Sequence, residues 1–167
     1  MEKINLSTMV LILFLIIASN LFAAPNIVGK VETYKVEGET EVLLPENSEM
    51  KPGEIIKYSI RYDNIGDEDA HNVEFKYPIS EGMTYEVNSV RGDGCDIMFT
   101  IDNGSTYQPE PVKYVVIDDN GNDKEMIAEI DQYNGIKWIL QKPLRKGSSI
   151  VLTFKVKIYK TQTGGEK

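Results

Sequence analysis

Hydrophobic and polar residues alternate along three stretches of the chain, residues 54–64, 72–77 and 149–159. A period of two puts successive side chains on opposite faces of an extended backbone, so each stretch predicts a strand with one buried face. Pro, Gly, Asn and Asp flank the first strand at residues 52–53 and 64–67, where tight turns use them. The predicted buried positions are all large and apolar: Ile56, Tyr58, Ile60, Tyr62, Val73, Phe75, Tyr77, Ile150, Leu152, Phe154, Val156 and Ile158.

Three Asn-Gly dipeptides, at residues 103–104, 120–121 and 134–135, lie between apolar segments. They predict β-hairpins, because a type I′ turn needs positive φ at both central residues. One hairpin is expected to join residues 112–117 to the segment that begins at Glu125. Another, at residues 134–135, is expected to join the apolar segments on either side of it, 126–133 and 136–141.

Helical periodicity is missing from the sequence after residue 24. The pattern therefore predicts an all-β fold, an immunoglobulin-like two-sheet sandwich of about seven to nine antiparallel strands. We expect residues 24–45 to form an N-terminal strand segment, residues 46–160 to form the sandwich, and residues 161–167 to be a polar tail.

Residues 1–23 are predicted to be a signal peptide. Lys3 precedes an apolar run at residues 9–18, and small residues follow it. The run is too short to cross a bilayer of about 30 Å as a helix, so cleavage after Ala23 is expected, with no membrane span afterwards. The only cysteine, Cys95, is far from this site, which argues against a lipid anchor and also excludes an intramolecular disulfide. Export would place the protein in the periplasm, on the cell surface or outside the cell.

The formal net charge of −8 and the isoelectric point near 4.8 bear on the partner class. Proteins bind nucleic acids largely by neutralising phosphates with Lys and Arg, so an acidic chain is a poor candidate for that function. An anionic membrane surface is disfavoured for the same reason. We interpret the acidity as a property that keeps the protein soluble outside the cell.

Short turn and strand motifs follow one another in a defined order between residues 46 and 159. They are Pro-Gly-Glu at 52–54, Asn-Ile-Gly-Asp at 64–67, Ala-His-Asn-Val at 70–73, Pro-Ile-Ser-Glu-Gly-Met-Thr-Tyr at 78–85, Ile-Lys-Trp at 136–138, Leu-Arg-Lys-Gly at 144–147 and Ile-Val-Leu-Thr-Phe-Lys-Val at 150–156. The series resembles the conserved repeat domain called domain of unknown function eleven, found in secreted and surface proteins of bacteria and archaea. Tyr77 departs from the family's Asp, and Ser80 and Lys146 depart from its prolines. The resemblance implies an immunoglobulin-like sandwich with no catalytic residues to transfer.

Few residues suggest chemistry. His71 is the only histidine, and a surface structural role is expected for it, since one His and one Cys cannot form a tetrahedral zinc site of such ligands. Arg91 and Asp93 flank Gly92 in a tripeptide that some adhesion receptors bind, so they are weak interaction candidates in an expected exposed loop. A sharp turn would use the same residues. Cys95 is expected to be a quiescent thiol, with an intermolecular disulfide as the alternative.

An Asp-rich segment at residues 118–123 suggests calcium, with Asp118, Asn120 and Asp123 as weak ligand candidates. It does not fit an EF-hand, because Asp123 stands where that loop needs Gly. Trp138 alternates with apolar neighbours and is expected to fill the core, with stacking on a glycan as the alternative.

These observations favour a non-catalytic secreted or cell-envelope module that engages a protein partner or envelope component through a sheet edge or its loops. No catalytic residue and no cofactor is predicted. The alternatives are a small calcium- or glycan-binding secreted protein and a carboxylate-based hydrolase, although no motif selects a pair of carboxylates. Function is expected in the loop of residues 91–96, the tip of residues 118–123 and the exposed sheet edges.

Overall fold

The computed structural model describes residues 24–160 and 162–163, and it confirms an all-β fold. The predicted signal peptide and most of the polar tail lie outside these residues. Within them the chain forms thirteen strands and one 3₁₀ turn at Ile130–Gln132. The strands are β1 Ile27–Glu37, β2 Thr40–Leu43, β3 Glu49–Met50, β4 Ile55–Asn64, β5 Glu74–Pro78, β6 Met83–Tyr85, β7 Arg91–Gly92, β8 Cys95–Thr100, β9 Lys113–Ile117, β10 Asp123–Ile127, β11 Gly135–Leu140, β12 Ser149–Ile158 and β13 Gln162–Thr163. The strands outnumber the prediction partly because three of them, β3, β7 and β13, are two-residue pairings.

The larger sheet is antiparallel and has the order β2-β1-β4-β12-β6, with β7 also pairing with β12. Its centre is β4, which pairs with β1 on one side and with β12 on the other. The predicted alternation of β4 and β12 is confirmed, since Ile56, Ile60, Leu152 and Val156 are at most 1% exposed. The N-terminal segment of residues 24–45 supplies β1 and β2 to this sheet.

The smaller sheet has the order β5-β11-β8 and packs against the apolar face of the larger one. Its first strand begins two residues later than predicted, because Asn72 has a positive φ of 53° and turns the chain before it extends. Aromatic rings fill the space between the sheets. Trp138 of β11 lies 6.1 Å from Phe154 of β12, and Tyr62 of β4 stacks at 3.9 Å on Phe75 of β5. Trp138 is 1% exposed, which confirms its predicted core position.

The hairpin predicted at residues 120–121 is confirmed. Strand β9 pairs with β10, with Lys113 opposite Ile127 at one end and Ile117 opposite Asp123 at the other. The turn differs from type I′, because only Gly121 of the two central residues has a positive φ, 83°. The Gly121 N–H donates to the Asp118 carbonyl at 2.9 Å. This is a type I turn followed by a glycine in the left-handed region, the usual geometry of a three-residue hairpin loop.

The hairpin predicted at residues 134–135 is wrong. Strand β11 pairs with β5 and β8 and not with residues 126–133. Asn134 connects the two neighbours instead, since its N–H donates to the Thr100 carbonyl and its carbonyl accepts the Ile79 N–H. A Cβ on Gly135 would lie 2.8 Å from the Thr100 methyl, so this glycine permits a close approach between strands.

The dipeptide at residues 103–104 has the backbone that was predicted but lies in a wider loop. Asn103 and Gly104 have positive φ values of 56° and 87°. Phe99 and Gln108 close the loop by exchanging two backbone hydrogen bonds of 2.8 and 3.0 Å. The positive φ values therefore bend a longer connection and do not form a two-residue hairpin.

Candidate functional site

The acidic tip of the β9–β10 hairpin uses its polar groups to hold the turn. One Asp118 carboxylate oxygen accepts the N–H groups of Asn122 and Asn120, each at 2.8 Å. These hydrogen bonds lower the pKa of Asp118, and the backbone N–H of Asn122 has the largest effect. Asp123 is paired with Ile117, one position before Asp118, so the two acidic side chains start from opposite faces of the ladder. The three calcium candidates are thus not gathered into one ligand set.

Across residues 24–160 and 162–163, no group of three or more His, Cys, Asp or Glu could hold a metal ion. Calcium binding by Asp118, Asn120 and Asp123 stays a prediction. His71 lies exposed at a turn, beside the buried Ala70.

The Arg91 to Asp93 tripeptide exposes its two charged residues as predicted, but the expected loop is wrong for Arg91 and Gly92, which lie in a short strand. Arg91 and Gly92 form β7 and pair with β12. The Arg91 guanidinium bends back and donates to the carbonyls of Asn88 and Val90, at 2.8 and 2.7 Å. Arg91 and Asp93 are exposed, whereas Gly92 is half-buried.

Gly92 has a packing role that the sequence did not reveal. A Cβ at this position would lie 2.8 Å from the Trp138 ring and 2.8 Å from a methyl of Leu152. The Trp138 indole N–H donates to the Arg91 carbonyl at 3.1 Å. The tripeptide therefore covers the core tryptophan, and Trp138 has no face available for a glycan.

Cys95 begins β8 and is half-buried. Burial raises the pKa of its thiol to about 11, and the neighbouring Asp93 and Asp96 carboxylates add to the effect. The thiol is thus protonated at neutral pH. This agrees with a quiescent thiol, because the thiolate is the reactive form.

The β9–β10 hairpin presents apolar side chains to solvent, a feature that the sequence pattern does not predict. Within the described residues, β9 and β10 pair only with each other. Their register places Val115, Ile117 and Ile127 on one face, together with Lys113, Asp123 and Glu125. The Lys113 ammonium pairs with the Glu125 carboxylate at 2.8 Å on this face. The exposed fractions of the three aliphatic residues are 61%, 67% and 59%. Clustered exposed aliphatic residues are typical of interaction surfaces.

The hairpin is fixed at its base. Val112, just before β9, is 1% exposed, and Ala128, just after β10, is 4% exposed. The Ala128 N–H donates to the Val112 carbonyl at 2.8 Å, and the Val112 N–H donates to the Tyr133 hydroxyl at 3.2 Å. The core therefore anchors the hairpin in one orientation while its two strands extend into solvent.

The outer edge of β9 follows from the hydrogen bonds at its two ends. Val112 accepts the Ala128 N–H, and Asp118 donates to the Asn122 carbonyl at 2.9 Å, so both residues bond towards the β10 side. In an antiparallel ladder, alternate residues direct their backbone groups to opposite edges. The residues at 113, 115 and 117 therefore direct their N–H and C=O groups away from β10.

Gln108 shows that this outer edge accepts a strand-like partner. Its side-chain amide accepts the Lys113 N–H at 3.1 Å and donates to the Lys113 carbonyl at 2.6 Å. A neighbouring strand would make the same pair of hydrogen bonds. Val115 and Ile117 point their backbone groups in the same direction, and no strand of the described residues pairs with them there.

No protein-family model matches the chain, and neither a curated protein nor a solved structure matches it. The resemblance to the conserved repeat domain therefore stays a prediction. In the part of the chain that the structure describes, no helix has both the length and the apolar character needed to cross a membrane.

Proposed function

We propose that this chain is a non-catalytic, exported structural or interaction module of the cell envelope or exterior, and that it engages a protein partner through the β9–β10 hairpin. The observation that carries the proposal is the outer edge of β9, where Val115 and Ile117 combine exposed aliphatic side chains with outward backbone groups. An exposed strand edge can recruit an extended segment through main-chain hydrogen bonds, and the alternate side chains add specificity.

We infer further that the two packed sheets form an immunoglobulin-like sandwich. Two features support the inference. The chain crosses between the sheets after β4, after β5, after β7 and again after β11. A single tryptophan, Trp138, lies between the sheets against Phe154, as expected for such sandwiches.

Site-specific photo-crosslinking tests the proposed surface. A photoreactive amino acid is placed at Val115 of the full chain, in cells that naturally produce the protein. The matched control is Val28, another valine that lies on a strand and is 41% exposed, but on the outer face of the larger sheet. We expect protein adducts at position 115 and none of comparable yield at position 28. Equal yields at both positions, or adducts only at position 28, would contradict the proposed surface.

Export is tested on the same cells. Fractionation and intact-mass measurement should recover the protein outside the cytoplasm with a chain that begins at Ala24. Recovery from the cytoplasm with residues 1–23 still attached would reject the exported part of the proposal.

A further inference from the structure

We propose that the partner of the β9 edge is a second copy of this chain, with the two β9 strands antiparallel about a two-fold axis at Val116. This inference rests on the proposed function, because it names the partner of the same surface. The dimer would join two hairpins into one four-stranded sheet of order β10-β9-β9-β10. Such an interface is closed by its own symmetry.

The backbone selects this register. A two-fold axis perpendicular to the sheet makes the two strands antiparallel and leaves equivalent faces on the same side of the sheet. In such a pair, the backbone N–H and C=O groups of two opposite residues point either towards each other or away from each other. An axis at Val116 places Val115 opposite Ile117 of the second copy, and the reverse pair forms by symmetry. The outward N–H and C=O groups of both residues then find partners, while Lys113 keeps its bonds to the Gln108 amide.

The side chains agree with the same register. Val115 and Ile117, 61% and 67% exposed, would cover each other across the strands. Lys113 keeps Gln108 at its outer edge, so the strand pairing ends there, and Asp119 of the second copy, in the turn after β9, would lie near Lys113 without pairing with it. Opposite charges would thus lie near each other at both ends of the paired segment, although Lys113 also pairs with Glu125 of its own chain at 2.8 Å. Pairing β10 with itself would place Glu125 opposite its own copy, opposite Asp123 or opposite Ile127, depending on the register, and the first two of these put like charges together. Like charges directly across strands are destabilising.

The β5 edge of the smaller sheet is less suited to pairing. The carbonyl of Val73 and the N–H of Ile79 bond towards β11, so the residues between them that point to the open edge are Glu74, Lys76 and Pro78. Proline has no N–H to donate, and charged side chains on an edge oppose strand addition. On the larger sheet, β2 is an edge strand with Val42 44% exposed, which makes it the appropriate control edge.

The expected dimer is weak, because a contact between two short strands lies at the small end of specific interfaces. We expect a Kd on the order of 100 μM. Sedimentation velocity of the full chain, expressed with its own leader and purified after export, should show monomers and dimers in exchange from about a tenth to about ten times that Kd. A reducing agent keeps Cys95 from contributing a covalent dimer.

Matched variants locate the interface. Ile117→Lys places a charge within the paired segment and should abolish the dimer. Val42→Lys makes the same kind of change on the β2 edge and should leave the dimer unchanged. Both should keep the wild-type circular dichroism spectrum and melting temperature, since Ile117 and Val42 are 67% and 44% exposed.

A second pair of variants separates charge complementarity from net charge. Asp119→Lys should weaken the dimer about tenfold, because it places a second positive charge near Lys113 at both ends of the paired segment. Asp131→Lys changes the net charge equally at an exposed position in the 3₁₀ turn and should leave the Kd unchanged.

Disulfide trapping tests the register itself. At the axis, Val116 faces its own copy in a non-hydrogen-bonded pair, where the Cα atoms are about 4.5 Å apart and a disulfide can form. Val116→Cys in a Cys95→Ser background should therefore give a covalent dimer under mild oxidation. Val115→Cys in the same background should not, because its own copy lies two residues away along the strand.

The outcomes separate the two proposals. A monomer at every concentration, a dimer that Ile117→Lys leaves intact, or a dimer that Val42→Lys disrupts would each overturn the second-copy inference. Adducts of a different protein at position 115, together with a monomeric chain, would also overturn it and would leave the proposed function standing. Equal crosslinking at Val28 would reject the proposed function itself.

Discussion

Asn64 provides the sharpest test of how the fold is held together. It is the last residue of β4, is 1% exposed, and makes four side-chain hydrogen bonds. Its amide nitrogen donates to the carbonyls of Glu68 and Leu144, at 2.7 and 3.0 Å. Its amide oxygen accepts the N–H groups of Asn26 and Gly66, at 3.2 and 3.1 Å. One side chain thus connects β4, the segment before β1, the following turn and the loop before β12.

The expected cost of Asn64→Ala follows from these four bonds. A hydrogen bond contributes about 0.5–1.5 kcal/mol net, and a buried group left without a partner costs more. The Leu144 carbonyl keeps a second bond from the Ala70 N–H at 2.9 Å, and the exposed Asn26 and Glu68 can turn to water, which reduces the loss. We expect about 2–4 kcal/mol of destabilisation. At about 3 °C per kcal/mol for a chain of this size, the melting temperature should fall by about 6–12 °C.

Thermal and urea unfolding measure this loss against two controls. Asn26→Ala retains the backbone N–H that Asn64 accepts, so its unfolding free energy should stay within about 0.5 kcal/mol of wild type. Asn64→Asp keeps both acceptor bonds but loses both donors and buries a charge, so it should be at least as destabilised as Asn64→Ala. An Asn64→Ala protein that melts together with Asn26→Ala would refute the reasoning.

Three further predictions concern the candidate site. Gly92→Ala should destabilise the protein by about 1–3 kcal/mol in urea unfolding, because the new methyl meets Trp138 and Leu152, and wild-type stability would show that these side chains can move apart. Alkylation of Cys95, whose pKa is raised to about 11, should accelerate about tenfold per pH unit from pH 8 to pH 10, whereas a plateau below pH 9 would contradict the burial of the thiol. Because the Asp118 carboxylate already accepts backbone N–H groups, the melting temperature should be the same in millimolar calcium as in chelator. Calcium at 100 times its Kd would stabilise the protein by about 2.7 kcal/mol, and a rise in melting temperature of that size would restore the calcium hypothesis.

The parts of the fold that the sequence predicts well are those in which local alternation is strong. Strands β4 and β12 bury alternate residues on one face and expose polar ones on the other, so their period of two is visible without knowledge of their partners. The pairing of β1 with β4 is not visible in the same way. It joins Ile27 to Asn64 and Val36 to Ile55, and long-range pairing leaves no local pattern.

The failed hairpin at residues 134–135 has a physical cause. Asn-Gly indicates a turn because both residues tolerate positive φ, but glycine is also used where two backbones approach closely. Gly135 serves the second purpose beside Thr100. Sequence alone does not distinguish the two uses, because the neighbour that requires the glycine is distant in the chain.

The candidate surface illustrates the same limit. The apolar residues of β9 predict a strand correctly, yet such a run usually indicates burial. Val115 and Ile117 are exposed because β9 and β10 form a separate two-stranded sheet, and no other strand of the described residues pairs with them. The Gln108 amide bonds the backbone of Lys113, only five residues along the chain, but no sequence motif predicts this contact.

Hydrogen exchange of the β9 amides, read residue by residue by NMR, tests most directly the claim that this edge binds a strand. In dilute protein, the Tyr114 and Val116 amides should be protected by β10, while those of Val115 and Ile117 should exchange rapidly. On association, the Val115 and Ile117 amides should become protected as well, because each would donate to a partner strand. Association that leaves these two amides exchanging as fast as in the dilute protein would contradict the account.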